Sequence, residues 1–181
     1  MRHHSIFTLP ILTILFWGCA VNSNHGGDYI REMVGSKLVI NTGQMTIGDD
    51  SMMYLSHLDK QFKIVVYSDS SNCTACNIQF PAWKIKFREL SLVNNDVGLI
   101  FITNTDNISG TEAIANISRP SGLRLYDAQG VFKKNNHVFS HTDFHIFLVD
   151  RDNKVILIGN PLTNHRIFAL YKEAIEVNFS H

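Results

Sequence analysis

The sequence predicts an α/β domain built on one central mixed sheet, with a parallel β-α-β half, an antiparallel hairpin half and helices on both faces. Three observations carry this. Residues 62–68 ("FKIVVYS") and 97–105 ("VGLIFITNT") are β-branched apolar runs without alternation, as expected of strands covered on both faces. Between them Phe80, Trp83, Phe87 and Leu90 recur at threes and fours, the stripe of an amphipathic helix, so strand, helix and strand form one parallel unit with a right-handed crossover. Further on, "HIFLVD" and "KVILIGN" flank "RDNK", whose Asp152 and Asn153 suit the tight positions of a hairpin turn, which makes that pair antiparallel.

The other elements follow in chain order. "KLVINT" (37–42) reads as a first strand, and residues 49–60 carry acidic residues first and then apolar ones at helical spacing, which predicts a short helix. The long helix is expected to run from Cys73 to about Val93, with Ser71 or Asn72 as its cap. A short helix is expected around 111–117, a strand at "LRLYDA", and one short helix near Val131 within an otherwise polar connection. Residues 163–177 close the chain as a helix with Ile167, Leu170, Tyr171 and Ala174 on one face and Thr163 or Asn164 as cap. Trp83, Phe87, Phe101, Phe147 and Phe168 read as core.

Composition limits the possible partners. At 181 residues, 45% hydrophobic and 18% charged, the chain suits one globular domain, and sixteen basic residues balance sixteen acidic ones. With no net charge there is no field to gather nucleic acid, so partners are chosen by a local site. The N-terminus stands apart: "MRHHS" is a short basic start, and residues 6–17 are a mostly apolar run too short to span a bilayer. This predicts a signal peptide over 1–18. Gly18-Cys19 then resembles the lipobox of bacterial lipoproteins, which implies lipidation of Cys19, with 19–36 as lipidated cysteine and flexible tether and 37–181 as the folded domain.

"SNCTACNIQFPAW" holds the chemistry. A cysteine at a helix N-terminus faces unpaired N–H groups and the positive end of the helix dipole, which favour the thiolate. Cys73 is therefore the candidate nucleophile, and Cys76, one turn on, the candidate resolving thiol. Pro81 is expected to kink the helix, since it removes one hydrogen bond and clashes with the preceding turn. The residues leave a second reading open: the helix begins afresh at Pro81 and the cysteines are a structural pair.

CxxC after an apolar strand, a proline five residues beyond, and the later hairpin "FLVDRDNKVILIG" together resemble the thioredoxin-fold family, specifically its exported TlpA-like and redoxin-like branch. The resemblance covers residues 37–179. It implies a thioredoxin-like fold and a membrane-tethered thiol-disulfide oxidoreductase in the bacterial envelope that faces the periplasm and reduces disulfides of envelope proteins. A membrane or periplasmic thiol would be its electron donor. The alternative is a non-catalytic binding or accessory lipoprotein with a structural or vestigial cysteine pair.

Two positions depart from the family pattern. Asn72 stands where an aromatic usually precedes the first cysteine, and Phe144 falls where the family places a cis-proline facing the cysteines. A cis bond before a residue other than proline costs about 2.5–4 kcal/mol, so a trans Phe144 and an altered docking backbone are expected. His137, His141 and His145 are spaced by four but interrupted by a predicted strand, and read as loop histidines, not metal ligands. No glycine-rich phosphate loop and no CxxCH is present, so no cofactor is expected.

Overall fold

The computed structural model describes residues 25–69, 78–138 and 140–177. Six strands form one sheet in the order β1-β4-β3-β2-β5-β6: β1 Thr46–Ile47, β2 Phe62–Ser68, β3 Val97–Thr103, β4 Leu123–Tyr126, β5 Ile146–Val149 and β6 Val155–Ile158. β2, β3 and β4 run parallel, while β1, β5 and β6 are each antiparallel to their neighbours. The helices are α1 His25–Met33, α2 Phe80–Val93, α3 Ile108–Ser118, α4 Val131–Asn136 and α5 His165–Val177.

Because alternate residues of β2 and β3 face opposite ways, the sheet separates two cores. Ile64, Val66, Leu99 and Phe101 pack against Phe80, Trp83 and Leu90 of α2 and Tyr171 and Ile175 of α5. Val65, Tyr67, Ile100 and Ile102 pack with Tyr29 and Met33 of α1 and Phe132 of α4. Trp83 is buried edge-on against Phe101, and truncating so large a core residue to Ala costs roughly 3–5 kcal/mol.

The hairpin is as expected. Asp150 Oδ1 accepts from the N–H groups of Asp152 and Lys154, and Asn153 takes the left-handed conformation at φ 66°. Asn164 caps α5, its Oδ1 accepting from the N–H groups of Arg166 and Ile167.

Four expectations change. The segment 37–42 is not a strand: the Asn136 amide bonds both Val39 N–H (2.7 Å) and Val39 C=O (3.1 Å), occupying the groups a sheet neighbour would need. Only an isolated bridge between Lys37 and Lys154 remains. Residues Asp49–Asp59 form a 3-10 helix, its first turn pinned by buried Ser51, which donates to Gly48 C=O.

Within the stretch expected to be tether, residues His25–Met33 fold as α1. Tyr29 and Met33, four apart, bury on one side of that helix. Lastly, the long helix does not run through Pro81. Gln79 is left-handed at φ 52° and breaks the path between Ile78 and α2, and Pro81 sits in the first turn of α2, where its missing N–H has no partner to lose. Cys19, Ser71, Asn72, Cys73 and Cys76 lie outside the described residues.

Candidate active site

β2 and β3 point their C-terminal ends the same way, and β5 on the other side of β2 runs antiparallel, so a crevice opens where β2 ends. A cavity of about 250 Å3 lies there. Its walls come from four segments: Val66 to Asp69 at the end of β2, Ile78, Gln79 and Trp83 around the start of α2, Thr142, Asp143, His145 and Ile146 leading into β5, and Asn160, Leu162 and Thr163 after β6. A larger depression of about 690 Å3 lies at the opposite end of the sheet beside the hairpin turn. The smaller cavity is the chemical candidate, since Ser68 and Asp69 immediately precede the segment that carries Cys73 and Cys76, and Ile78 and Gln79 immediately follow it.

Four polar groups give this cavity its character. Asp69 pairs with Lys133 of α4 at 2.6 Å, which places a cation beside the end of β2. His145, 3% exposed, stands edge-on to the Tyr67 ring at 5.2 Å, and its C=O accepts from the Tyr67 N–H. Burial pushes the Tyr67 phenol up to about 12, so it stays a neutral hydroxyl at working pH. Asp143 is open to solvent at the rim and 3.6 Å from His141.

Phe144 does not face the cavity. All peptide bonds of the described residues are trans, and Phe144 ends a 3-10 turn, Thr142–Phe144, that turns its ring onto α1. There it packs 6.0 Å from Tyr29 and fills the space beside Gly26, where an added Cβ would lie 2.8 Å from Phe144 Cζ. The cavity wall on the approach to β5 thus includes Asp143 and His145 but not Phe144. The three histidines spaced by four fall on separate features: His137 ends α4, His141 begins the 3-10 turn and His145 is buried at the cavity. No group of three potential metal ligands forms among the described residues.

The sequence reading missed His145 as a wall residue. The β2–β5 register puts it there: Val66 pairs with Ile146, so the residue before Ile146 lies beside Tyr67. It also missed a second buried polar centre, away from the cavity. Arg124 of β4 donates from Nε and Nη2 to both oxygens of Glu112 on α3, each at 3.0 Å, and the Tyr126 hydroxyl makes a short bond to Glu112. Burial opposes ionisation of Glu112, but the Arg124 and Tyr126 hydrogen bonds outweigh it and hold the carboxyl below its usual 4.5.

The sequence matches no family profile and no curated protein. Solved structures do resemble it. A protein of Chlorobium tepidum assigned as the thiol:disulfide interchange protein DsbE superposes with a TM-score of 0.57 at 14% identity, over 79% of this chain and 97% of the other. The thioredoxin domain of a thiol-disulfide oxidoreductase from Bacteroides vulgatus gives 0.53 at 11% identity, over 78% and 97%. Peroxiredoxin Q of Xanthomonas campestris gives 0.50 at 8% identity, over 65% and 82%. With a parallel β2-β3 unit, an antiparallel β5-β6 hairpin and helices on both faces, the chain has the thioredoxin-like α/β fold.

Proposed function

We propose that the protein is a membrane-tethered, exported thiol-disulfide oxidoreductase that reduces disulfides of envelope proteins through Cys73 and Cys76. The observation that carries this reading is the cavity at the C-terminal end of β2, whose walls are the residues flanking the CxxC segment on both sides together with the approach to β5. Solved structures of this fold assigned as thiol-disulfide oxidoreductases support it. The basic start, short apolar run and Gly18-Cys19 support export and lipidation.

The reaction is two exchanges. The Cys73 thiolate attacks one sulfur of a partner disulfide, that S–S bond breaks, and the leaving sulfur departs as a thiolate that takes a proton from water. The Cys76 thiolate then attacks Cys73 sulfur, the mixed disulfide breaks, and the second partner sulfur leaves reduced. Two electrons have passed to the partner and a Cys73–Cys76 disulfide remains, which a donor dithiol reduces in turn. Lys133 neutralises Asp69, four residues before Cys73, and so removes a negative charge that would oppose the thiolate.

Alkylation of the reduced protein against pH, with Cys73→Ser and Cys76→Ser variants to assign the signal, tests this. A Cys73 that reacts well below pH 8 while Cys76 stays protected is the expected result; two thiols that both titrate near 8.5 exclude the catalytic role. The turn of Phe144 away from the cavity favours one second reading, a non-catalytic thioredoxin-like binding lipoprotein, and the same titration separates the two.

A further inference from the structure

We infer that the cavity pole of the domain is held against the membrane, so that the protein acts on disulfides displayed at the bilayer surface by integral membrane proteins. This rests on the tethered, redox-active reading above and goes beyond it in naming where the substrate stands.

Chain direction sets this orientation. α1 begins at the cavity pole: Gly26 abuts Phe144, the residue between the two cavity-wall residues Asp143 and His145. It ends at the other pole, where Gly35 N–H bonds Val155 C=O and Leu38 N–H bonds Asn153 C=O in the hairpin turn, each at 2.8 Å. Tyr29 and Met33 bury along its length, so the direction of entry is fixed by packing. The chain therefore enters the domain beside the cavity, at the end of the sheet opposite the Asp150–Lys154 turn.

Length does the rest. Cys19 lies six residues before His25, and six residues span at most about 21 Å fully extended. A lipid on Cys19 thus keeps the start of α1 within about 21 Å of the headgroups, less than the roughly 23 Å length of β2 itself. With so short a leash the cavity pole stays near the bilayer and the hairpin pole points away. An anchor within the apolar run that ends at Trp17 would give the same orientation, since only two more residues intervene.

The test uses the full chain, processed and lipidated in a bacterial host and reconstituted in phosphatidylethanolamine–phosphatidylglycerol vesicles. In a Cys73→Ser/Cys76→Ser background, fluorophores on Thr163→Cys at the cavity rim and on Asp152→Cys in the hairpin turn report energy transfer to a headgroup-labelled lipid. Transfer several-fold higher from position 163 than from 152 is expected. A flexible insert of about thirty Gly/Ser residues after Val21, with an r.m.s. span of roughly 30 Å, should erase the difference. Equal or reversed transfer, or a full chain that does not sit on vesicles, overturns the inference.

A second readout compares reduction of one disulfide peptide attached to a lipid headgroup with the same peptide free in solution. The native chain should prefer the attached form several-fold, and the insert should remove that preference while leaving the rate on free peptide unchanged. Absence of preference in the native chain overturns the inference with the redox reading intact. Failure on both peptides, with the transfer difference present, removes the redox reading and leaves the orientation standing.

Discussion

Among the described residues, the Glu112–Arg124–Tyr126 clamp and the cavity around His145 are both buried polar centres that look alike in a sequence and differ in what surrounds them. At the clamp between α3 and β4, Glu112, Arg124 and Tyr126 satisfy one another and are each less than a tenth exposed. At the cavity, His145 is equally buried, yet it lines open space at the end of β2, with Asp69 and Asp143 beside it. The clamp ties a crossover helix to the sheet; the cavity leaves room for a reacting chain. Buried polar groups therefore mark structure where they satisfy one another, and a candidate site where they line a cavity walled by the residues that flank the cysteine segment.

The largest effect is expected at the cavity. Cys73→Ser should reduce turnover of a model disulfide to the rate without protein while leaving the thermal midpoint unchanged, read by a turbidity or dye-linked assay beside a melt. At the clamp the effects should reverse. Arg124→Met leaves Glu112 buried without its cation and should cost about 3–5 kcal/mol in denaturant unfolding, with activity per folded molecule preserved. Glu112→Gln combined with Arg124→Met should recover most of that loss.

Gly98→Ala should be next. A Cβ there would lie 2.4 Å from the carbonyl oxygen of His57, so the 3-10 helix Asp49–Asp59 must shift off β3, costing about 1–3 kcal/mol. His57 also gives a pH test. Its Nδ1 accepts from the Leu99 N–H at 3.0 Å, and burial chiefly, with Lys60 nearby, holds the imidazole below its usual 6.5. The unfolded chain therefore takes the proton first as pH falls. This contribution to stability is complete above pH 6.5 and declines below it, towards the folded value, and His57→Asn should flatten that limb. Glu112 adds a second limb: its stability is present above 4.5 and is lost as pH falls through its lower folded value.

The smallest effect is Lys133→Met. Its partly exposed pair with Asp69 is worth at most about 1 kcal/mol of stability, but loss of the cation should move the alkylation pH profile of Cys73 upward. A profile that moves more after Arg124→Met than after Lys133→Met would dissolve the distinction between the two centres.

What the sequence determined by itself is the set of elements whose cause is local. The non-alternating runs at β2 and β3, the stripe of Phe80, Trp83, Phe87 and Leu90, the Asp150–Asn153 turn and the Asn164 cap each follow from period, side-chain type or a bond to a near neighbour. Tertiary structure decided the rest, because the cause lies far along the chain. Asn136 takes the backbone of Val39 from 97 residues away and prevents a strand. Phe144 requires Gly26 beside its ring, and the burial of Tyr29 and Met33 makes a helix of residues expected to be tether. His145 becomes a cavity wall only because β5 pairs with β2 in one register. Local propensity and hydrophobic period are written in neighbouring residues, whereas which distant group satisfies a backbone amide, or fills the space a missing Cβ leaves, exists only once the chain has packed.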